Sequence, residues 1–175
     1  MRALLLIVTL AVGACAAPGG GIRGDQRSIQ APRLSVQDDS FRPYILFEYA
    51  FQDEDSRGAV IYSLIATVDR KTKAKGFYLD WSEVYIDRDW RFYSGAGTSN
   101  AEQLPFSQLD RKVASCRAGS CVYSEAYRIR LSEAQFRRGE TTGLAVKVFS
   151  GRAPDRLTII SPHVFQEVAA KMMGR

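Results

Sequence analysis

The stretch Ile45-Leu46-Phe47-Glu48-Tyr49-Ala50-Phe51 sets Ile45, Phe47, Tyr49 and Phe51 at alternate positions. A strand sends successive side chains to opposite faces, so this period of two predicts a strand with one strongly aromatic face. The pattern recurs along the chain. After the turn-forming run DEDSRG at residues 53–58 comes AVIYSLIATV, apolar at both parities and so expected as a central strand. Phe77-Tyr78-Leu79-Asp80-Trp81 alternates again and slips phase near Ser82 and Glu83, as a bulge would make it do. Residues 84–86 and 90–92 flank Asp87-Arg88-Asp89, which predicts a tight hairpin. Leu144, Val146 and Val148 form a further alternating set, residues 151–154 a turn, and Leu157 and Ile159 another strand. Seven or eight short strands with turns between them predict an all-β fold, either a β-sandwich of immunoglobulin-like arrangement or a small barrel.

Two short helices interrupt the strands. Ser132-Glu133-Ala134-Gln135 has the form of a capping box, a Ser N-cap with Gln three residues on, and Gly139 is placed to stop the turn. Ser161-Pro162 opens the second, and Val164, Phe165, Val168, Ala169 and Met172 make one apolar stripe to the chain's end. This C-terminal helix is expected to lie against a sheet or to cap one end of the sandwich.

Three cysteines divide into one and two. Cys116 and Cys121 stand six residues apart, ends included, in SCRAGSCV, between strand-like flanks. Pairing those flanks across Arg117-Ala118-Gly119-Ser120 puts Cys116 opposite Cys121, Ala114 opposite Tyr123 and Lys112 opposite Glu125. A disulfide clasping a hairpin is the expected result, in an oxidising compartment. A redox-active pair is the sharper alternative, but thiol oxidoreductases mostly place Cys-x-x-Cys at a helix N-terminus, where the dipole lowers the thiol pKa. On the strand that follows, Cys121, Tyr123, Glu125, Tyr127, Ile129 and Leu131 share a mostly apolar face, with Glu125 its one charge.

The third cysteine follows a different kind of segment. MRALLLIVTLAVGAC has one basic residue, Arg2, then an apolar run from Ala3 to Val12, about half the roughly 20 residues a membrane-spanning helix needs. Small residues then lead to Cys15, as in a signal peptide whose cleavage site must be narrow. Val12-Gly13-Ala14-Cys15 resembles the lipobox of bacterial lipoproteins. The resemblance covers residues 1–15 and implies cleavage before Cys15, a diacylglycerol on its thiol and an acyl chain on its new amine. With each buried CH₂ worth about 0.8 kcal/mol, two or three chains would hold the protein on a membrane. Ala16, in place of Asp, implies the outer membrane, with the protein facing the periplasm.

The expected organisation is therefore a signal peptide at 1–14, a lipidated Cys15 with a flexible tether to residue 35, and one β-rich domain at 36–175. The tether, rich in Gly, Ala, Pro and polar residues, would reach about 25 Å from its anchor. Loss of Arg2 takes the formal charge from +5 to +4, and the densest basic run, residues 70–75, lies between two apolar segments as a solvated hairpin loop would. Nothing resembles a nucleic-acid module.

Chemistry is harder to find. The one histidine, His163, has no nucleophile elbow to serve. One histidine and a bonded cysteine pair leave only carboxylates for a metal, and residues 53–64 fail the EF-hand pattern at Arg57 and Leu64. No cofactor is expected. Ser94-Gly95-Ala96-Gly97-Thr98 lacks the lysine of a phosphate loop and reads as a turn. Carboxylate pairs such as Asp80 with Glu83, or Asp87 with Asp89, could serve a glycosidase. Tyr78, Trp81, Tyr85, Trp90 and Tyr93 cluster in one stretch and make either core or a binding face. The function expected from these residues is a non-enzymatic, membrane-anchored module that binds or scaffolds an envelope protein or glycan. The rival readings are an envelope hydrolase or glycan-modifying enzyme working through carboxylates, and an inhibitor of a secreted lysozyme-type hydrolase.

Overall fold

A computed structural model describes residues 33–174 apart from 56 and 57. The signal peptide, Cys15 and most of the tether lie outside the described residues. The chain runs through β1 (Arg33–Gln37), β2 (Tyr44–Asp55), β3 (Gly58–Asp69), β4 (Lys75–Asp87), β5 (Tyr93–Thr98), β6 (Gln103–Leu104), β7 (Phe106–Arg117), β8 (Ser120–Leu131), α1 (Glu133–Thr142), β9 (Leu144–Ser150), β10 (Arg156–Ile160) and α2 (Pro162–Met173). The strands form two antiparallel sheets, one in the order β1-β2-β3-β4-β8-β7 and one in the order β10-β9-β5-β6. The fold is an all-β sandwich with a C-terminal helix. It has ten described strands rather than seven or eight, because short pieces such as β1 and β6 carry too little alternation to read.

The core lies where the two inner faces meet. Phe47, Leu64, Leu79, Trp81, Tyr127 and Ile129 come from the larger sheet, Val146, Val148 and Ile160 from the smaller. Phe136 of α1 stacks on Phe77, and Phe165 of α2 meets Phe136 edge-on, so both helices join the same core. β3 is central, as its two apolar faces require.

Several local expectations change. Residues 33–35, expected in the tether, begin β1, where Leu34 and Val36 pack on the core and give the edge strand its purchase. β4 runs without a bulge, in continuous register with β3 and β8. Its phase slip has another cause: Glu83 occupies an inward position, followed by inward Tyr85, while Val84 and Ile86 face out at 45% and 72% exposure. Residues 87–92 do not close a hairpin but cross between sheets, with Phe92 at φ 52°, and residues 94–98 are strand rather than turn. The basic run at 70–75 does close the β3–β4 hairpin, its turn held by the Asp69 carboxylate accepting from Lys71 and Thr72.

The Ser132 capping box forms as expected, yet α1 continues through Gly139 to Thr142 and stops at Gly143, whose φ is 73°. Gly139 is small for packing instead: a Cβ there would lie 2.6 Å from the Phe165 ring. Gly139→Ala is expected to destabilise by about 1–3 kcal/mol through overpacking, although alanine is the better helix former. A urea midpoint that rises would contradict this packing role.

The disulfide joins Cys116 to Cys121 across a two-residue turn in which Ala118 and Gly119 both have positive φ. Closing so small a loop contributes about 2 kcal/mol in the chain-entropy treatment. The register beyond it differs from a simple count. Bulges at Leu109 and Ala114 shift β7, so Val113 faces Tyr123, and Arg111 rather than Lys112 faces Glu125. Lys112 instead pairs with Asp110 at the surface.

Candidate functional site: a sealed carboxylate pair beneath an arginine-walled cleft

β4 and β8 are neighbours, and their register sets Glu83 directly opposite Glu125. Both point into the sandwich and both are fully buried. Like charges facing each other across strands destabilise a sheet, and burial makes each charge dearer still. The site is what the rest of the chain supplies to hold them.

Glu83 is clasped by two guanidiniums. Its Oε1 accepts from Arg91, in the sheet crossover, and from Arg156, the first residue of β10. Both arginines are buried. Oε2 has no hydrogen-bond partner among the described residues. Glu125 is held differently: Oε1 accepts from the Tyr85 hydroxyl and from the Arg91 backbone N–H at 3.1 Å, Oε2 from the Tyr127 hydroxyl and from Arg111 at 3.3 Å. Arg91 thus touches both carboxylates, one through its side chain and one through its backbone. Its guanidinium also lies 4.0 Å above the Tyr85 ring. Arg111 reaches inward because the β7 bulges rotate it there, with its guanidinium 4.6 Å from the Phe92 ring.

The tyrosines respond to this setting. Burial first, then the charge on Glu83, pushes the Tyr93 hydroxyl up to about 12, against the pull of Arg156 and Arg91. Tyr85 is raised further, by burial and by its bond to Glu125. The sign follows directly. A phenol whose folded value is raised stabilises the fold while neutral, fully below its unfolded value near 10, and loses that contribution as pH climbs through the folded value. Folded stability is therefore expected to fall between pH 10 and about 12, and Tyr93→Phe to flatten the fall. Urea midpoints at stepped pH, with tyrosinate absorbance followed in parallel, test it; an unchanged slope in Tyr93→Phe would refute it.

Above the pair opens a cleft of about 240 Å³ lined by Asp87, Arg91, Tyr93, Arg152, Ala153, Pro154 and Arg156. Its arginines are matched by acids. Arg91 has Asp87 at 3.9 Å besides Glu83, and Arg152 pairs with Asp89 at 2.6 Å while lying over the Phe92 ring. The walls are charged but balanced.

Searched against protein-family models, curated proteins and solved structures, the chain matches none. The functional reading rests on its own geometry.

That geometry redistributes the residues singled out in the sequence. Trp81, Tyr85 and Tyr93 are core, not a binding face, because alternation in β4 and β5 turns them inward. Tyr78 sits on the opposite face of β4 under the Arg128 guanidinium, and half-buried Trp90 packs on Tyr123. The five aromatics form no common surface. Asp80 and Glu83 lie on opposite faces of β4, Asp80 in a double hydrogen bond to Arg128. His163 is exposed at the start of α2, 4.0 Å from Glu167. Among the described residues no group of three or more His, Cys, Asp or Glu could hold a metal, and no helix is long and apolar enough to cross a membrane.

Arg91, Arg111 and Arg156, the residues that complete the network, are not among the candidates the sequence singles out. A signal existed. An acid at an inward position in each of two strands, Glu83 breaking the β4 phase and Glu125 breaking an apolar face, calls for inward cations. Their positions are not readable from spacing, since Arg156 is 73 residues from Glu83.

Proposed function

We propose that the protein is a bacterial outer-membrane lipoprotein, anchored through Cys15, whose β-sandwich binds or scaffolds another envelope component without catalysing a reaction. The observation carrying the non-enzymatic part is the state of the two convergent carboxylates. A glycosidase carboxylate must reach a substrate oxygen or anomeric carbon and exchange a proton or bond there. Glu125 has both oxygens occupied by four donors, Glu83 is held by two arginines, and neither reaches the surface. Such a pair fixes the relative position of β4, β8, β10 and the crossover, and so rigidifies a platform. The Cys116–Cys121 bond supports an oxidising compartment, in keeping with the lipobox-like start.

The test has two arms. Metabolic labelling with palmitate should mark the chain and fail in Cys15→Ser; labelling that persists removes the anchor. Cross-linking of the labelled protein in intact cells, followed by mass spectrometry, should recover a discrete envelope component in excess over other lipoproteins. Recovery of the general lipoprotein background alone overturns the scaffold reading. Turnover of a glycan substrate that disappears in Glu83→Gln overturns the non-enzymatic one.

A further inference from the structure

The outer part of the β7–β8 hairpin is built in two registers. From Asp110 to Val113, β7 runs opposite Ala126 to Tyr123. A bulge at Ala114 then moves the pairing by one residue, so that Ser115 faces Val122, Cys116 faces Cys121 and Arg117 faces Ser120. This outer register leaves only Ala118 and Gly119 for the turn, at φ 51° and 82°. Left-handed backbone suits Gly119, but it crowds the Cβ of Ala118 against a carbonyl oxygen. Two-residue turns of this kind favour Asn, Asp or Gly where Ala118 stands.

Without the bulge, the inner register would continue to the tip. Ala114 would face Val122, Ser115 would face Cys121 and Cys116 would face Ser120. The loop would then hold three residues, Arg117-Ala118-Gly119. A three-residue loop takes a type I turn followed by one left-handed residue, and glycine stands at that place here. Ala118 would return to right-handed backbone, and the outer ladder would close without an unpaired residue. The turn sequence therefore fits a register that the hairpin does not have. The disulfide is what forbids it. Residues directly opposite each other share a face, so the continuous register puts Ser115 on the face of Cys121 and Cys116 on the other. Sulfurs on opposite faces cannot be bridged.

We propose that the Cys116–Cys121 disulfide is a redox-sensitive register lock, whose reduction lets the bulge at Ala114 run out into the turn and carries Cys116 to the opposite face of the sheet. The inference goes beyond the binding reading and does not depend on it. The reductant is a dithiol. One of its thiolates attacks a sulfur of the bond to give a mixed disulfide, and its second thiol resolves that intermediate. The S–S bond breaks, two electrons and two protons pass to Cys116 and Cys121 as thiols, and the dithiol leaves as a disulfide. Cys116 is exposed to such a reagent. β7 is the last strand in the order of the larger sheet, so its tip shifts without displacing a further strand. The change stops at Val113, because the Val113–Tyr123 pairing and the Arg111–Glu125 ion pair belong to the inner register in both states. Reoxidation requires the bulge to return, which makes register and thiol state two readings of one equilibrium.

Cross-strand nuclear Overhauser contacts in the isotope-labelled full chain, held in detergent micelles, read the register directly. The oxidised protein should show Ser115 against Val122 and Cys116 against Cys121. Excess dithiothreitol should replace these with Ala114 against Val122, Ser115 against Cys121 and Cys116 against Ser120, while Val113 stays against Tyr123. Ala118→Gly relieves the two-residue turn, so it should shift the reduced population back toward the bulged register. A second variant needs no reductant. Ser115→Cys/Cys116→Ser should form a disulfide to Cys121 in air, seen by peptide mapping as a link between positions 115 and 121, because the continuous register sets those positions face to face. A reduced protein that keeps Ser115 against Val122 overturns the proposal. So does a reduced tip with the contacts of neither register, which would be simple fraying. A double variant whose thiols stay free in air refutes it as well.

Discussion

Glu83→Ala is expected to destabilise the fold by about 3–5 kcal/mol, a large part of the roughly 5–15 kcal/mol that holds a domain of this kind together. The loss comes from what is left behind. Arg91 and Arg156 are both buried around that carboxylate, and removing it takes from both the buried counter-charge they share, with Asp87 only at 3.9 Å from Arg91. The same reasoning predicts the reverse for a concerted change. Glu83→Leu with Arg91→Met and Arg156→Met removes all three charges together and fills the space with apolar volume, so stability should return to within about 1 kcal/mol of the original or exceed it. Urea midpoints of the single and triple variants decide the point. If the triple variant is as unstable as Glu83→Ala, the network contributes more than mutual neutralisation, and packing or the backbone bond from Arg91 to Glu125 would have to carry the difference.

The second large effect is at Glu125. Glu125→Ala takes an acceptor from the Tyr85 and Tyr127 hydroxyls, the Arg91 N–H and the Arg111 guanidinium at once, and leaves the Arg91 N–H only its 3.0 Å bond to the Tyr85 hydroxyl. Three of these donors belong to buried residues, and each buried group left unpaired costs about 1–3 kcal/mol. Partial relaxation toward solvent is open to Arg111, which is the least buried of the four. A net loss of about 3–5 kcal/mol is expected. Glu125→Gln is the instructive companion, since it keeps the shape but supplies two donors where only acceptors serve, and it should recover little of the loss. An unfolding free energy from urea titration within about 0.5 kcal/mol of the parent for Glu125→Gln would show that the hydroxyls reorient around an amide, and the buried-charge account of this site would fail. The two acids face each other in register, so the variants should not be additive: Glu83→Ala/Glu125→Ala should cost less than the singles combined.

Local chemistry carried much of this fold into view. The aromatic alternation of residues 45–51 marks β2 because a strand alone gathers those rings on one face. Ser132 with Gln135, and Ser161 with Pro162, mark the two helix starts because each satisfies or avoids free N–H groups. The cysteine spacing marks a hairpin. What misled was the assumption that apolar means inward. In β4 beyond Trp81, and again in β10, the rule is inverted: Glu83, Arg156 and Thr158 go in while Val84, Ile86, Leu157 and Ile159 go out. A one-residue difference in phase flips every side chain of a strand, so a single inward acid is enough to make a regular strand resemble a bulged one.

The sequence by itself therefore determined the kind of element at most positions and the clasp between Cys116 and Cys121. Tertiary structure alone decided which faces meet. A buried carboxylate is tolerable only where cations arrive from elsewhere in the chain. For Glu83 they come from a crossover and from a strand 73 residues away, and for Glu125 from a strand turned by two bulges. The first two arrivals depend on the packing of the two sheets and the third on a register shift between neighbours in one sheet, and no local pattern encodes either. The outward face of β10 has the same origin: its exposed Leu157 and Ile159 are the counterpart of the Arg156 that had to face Glu83.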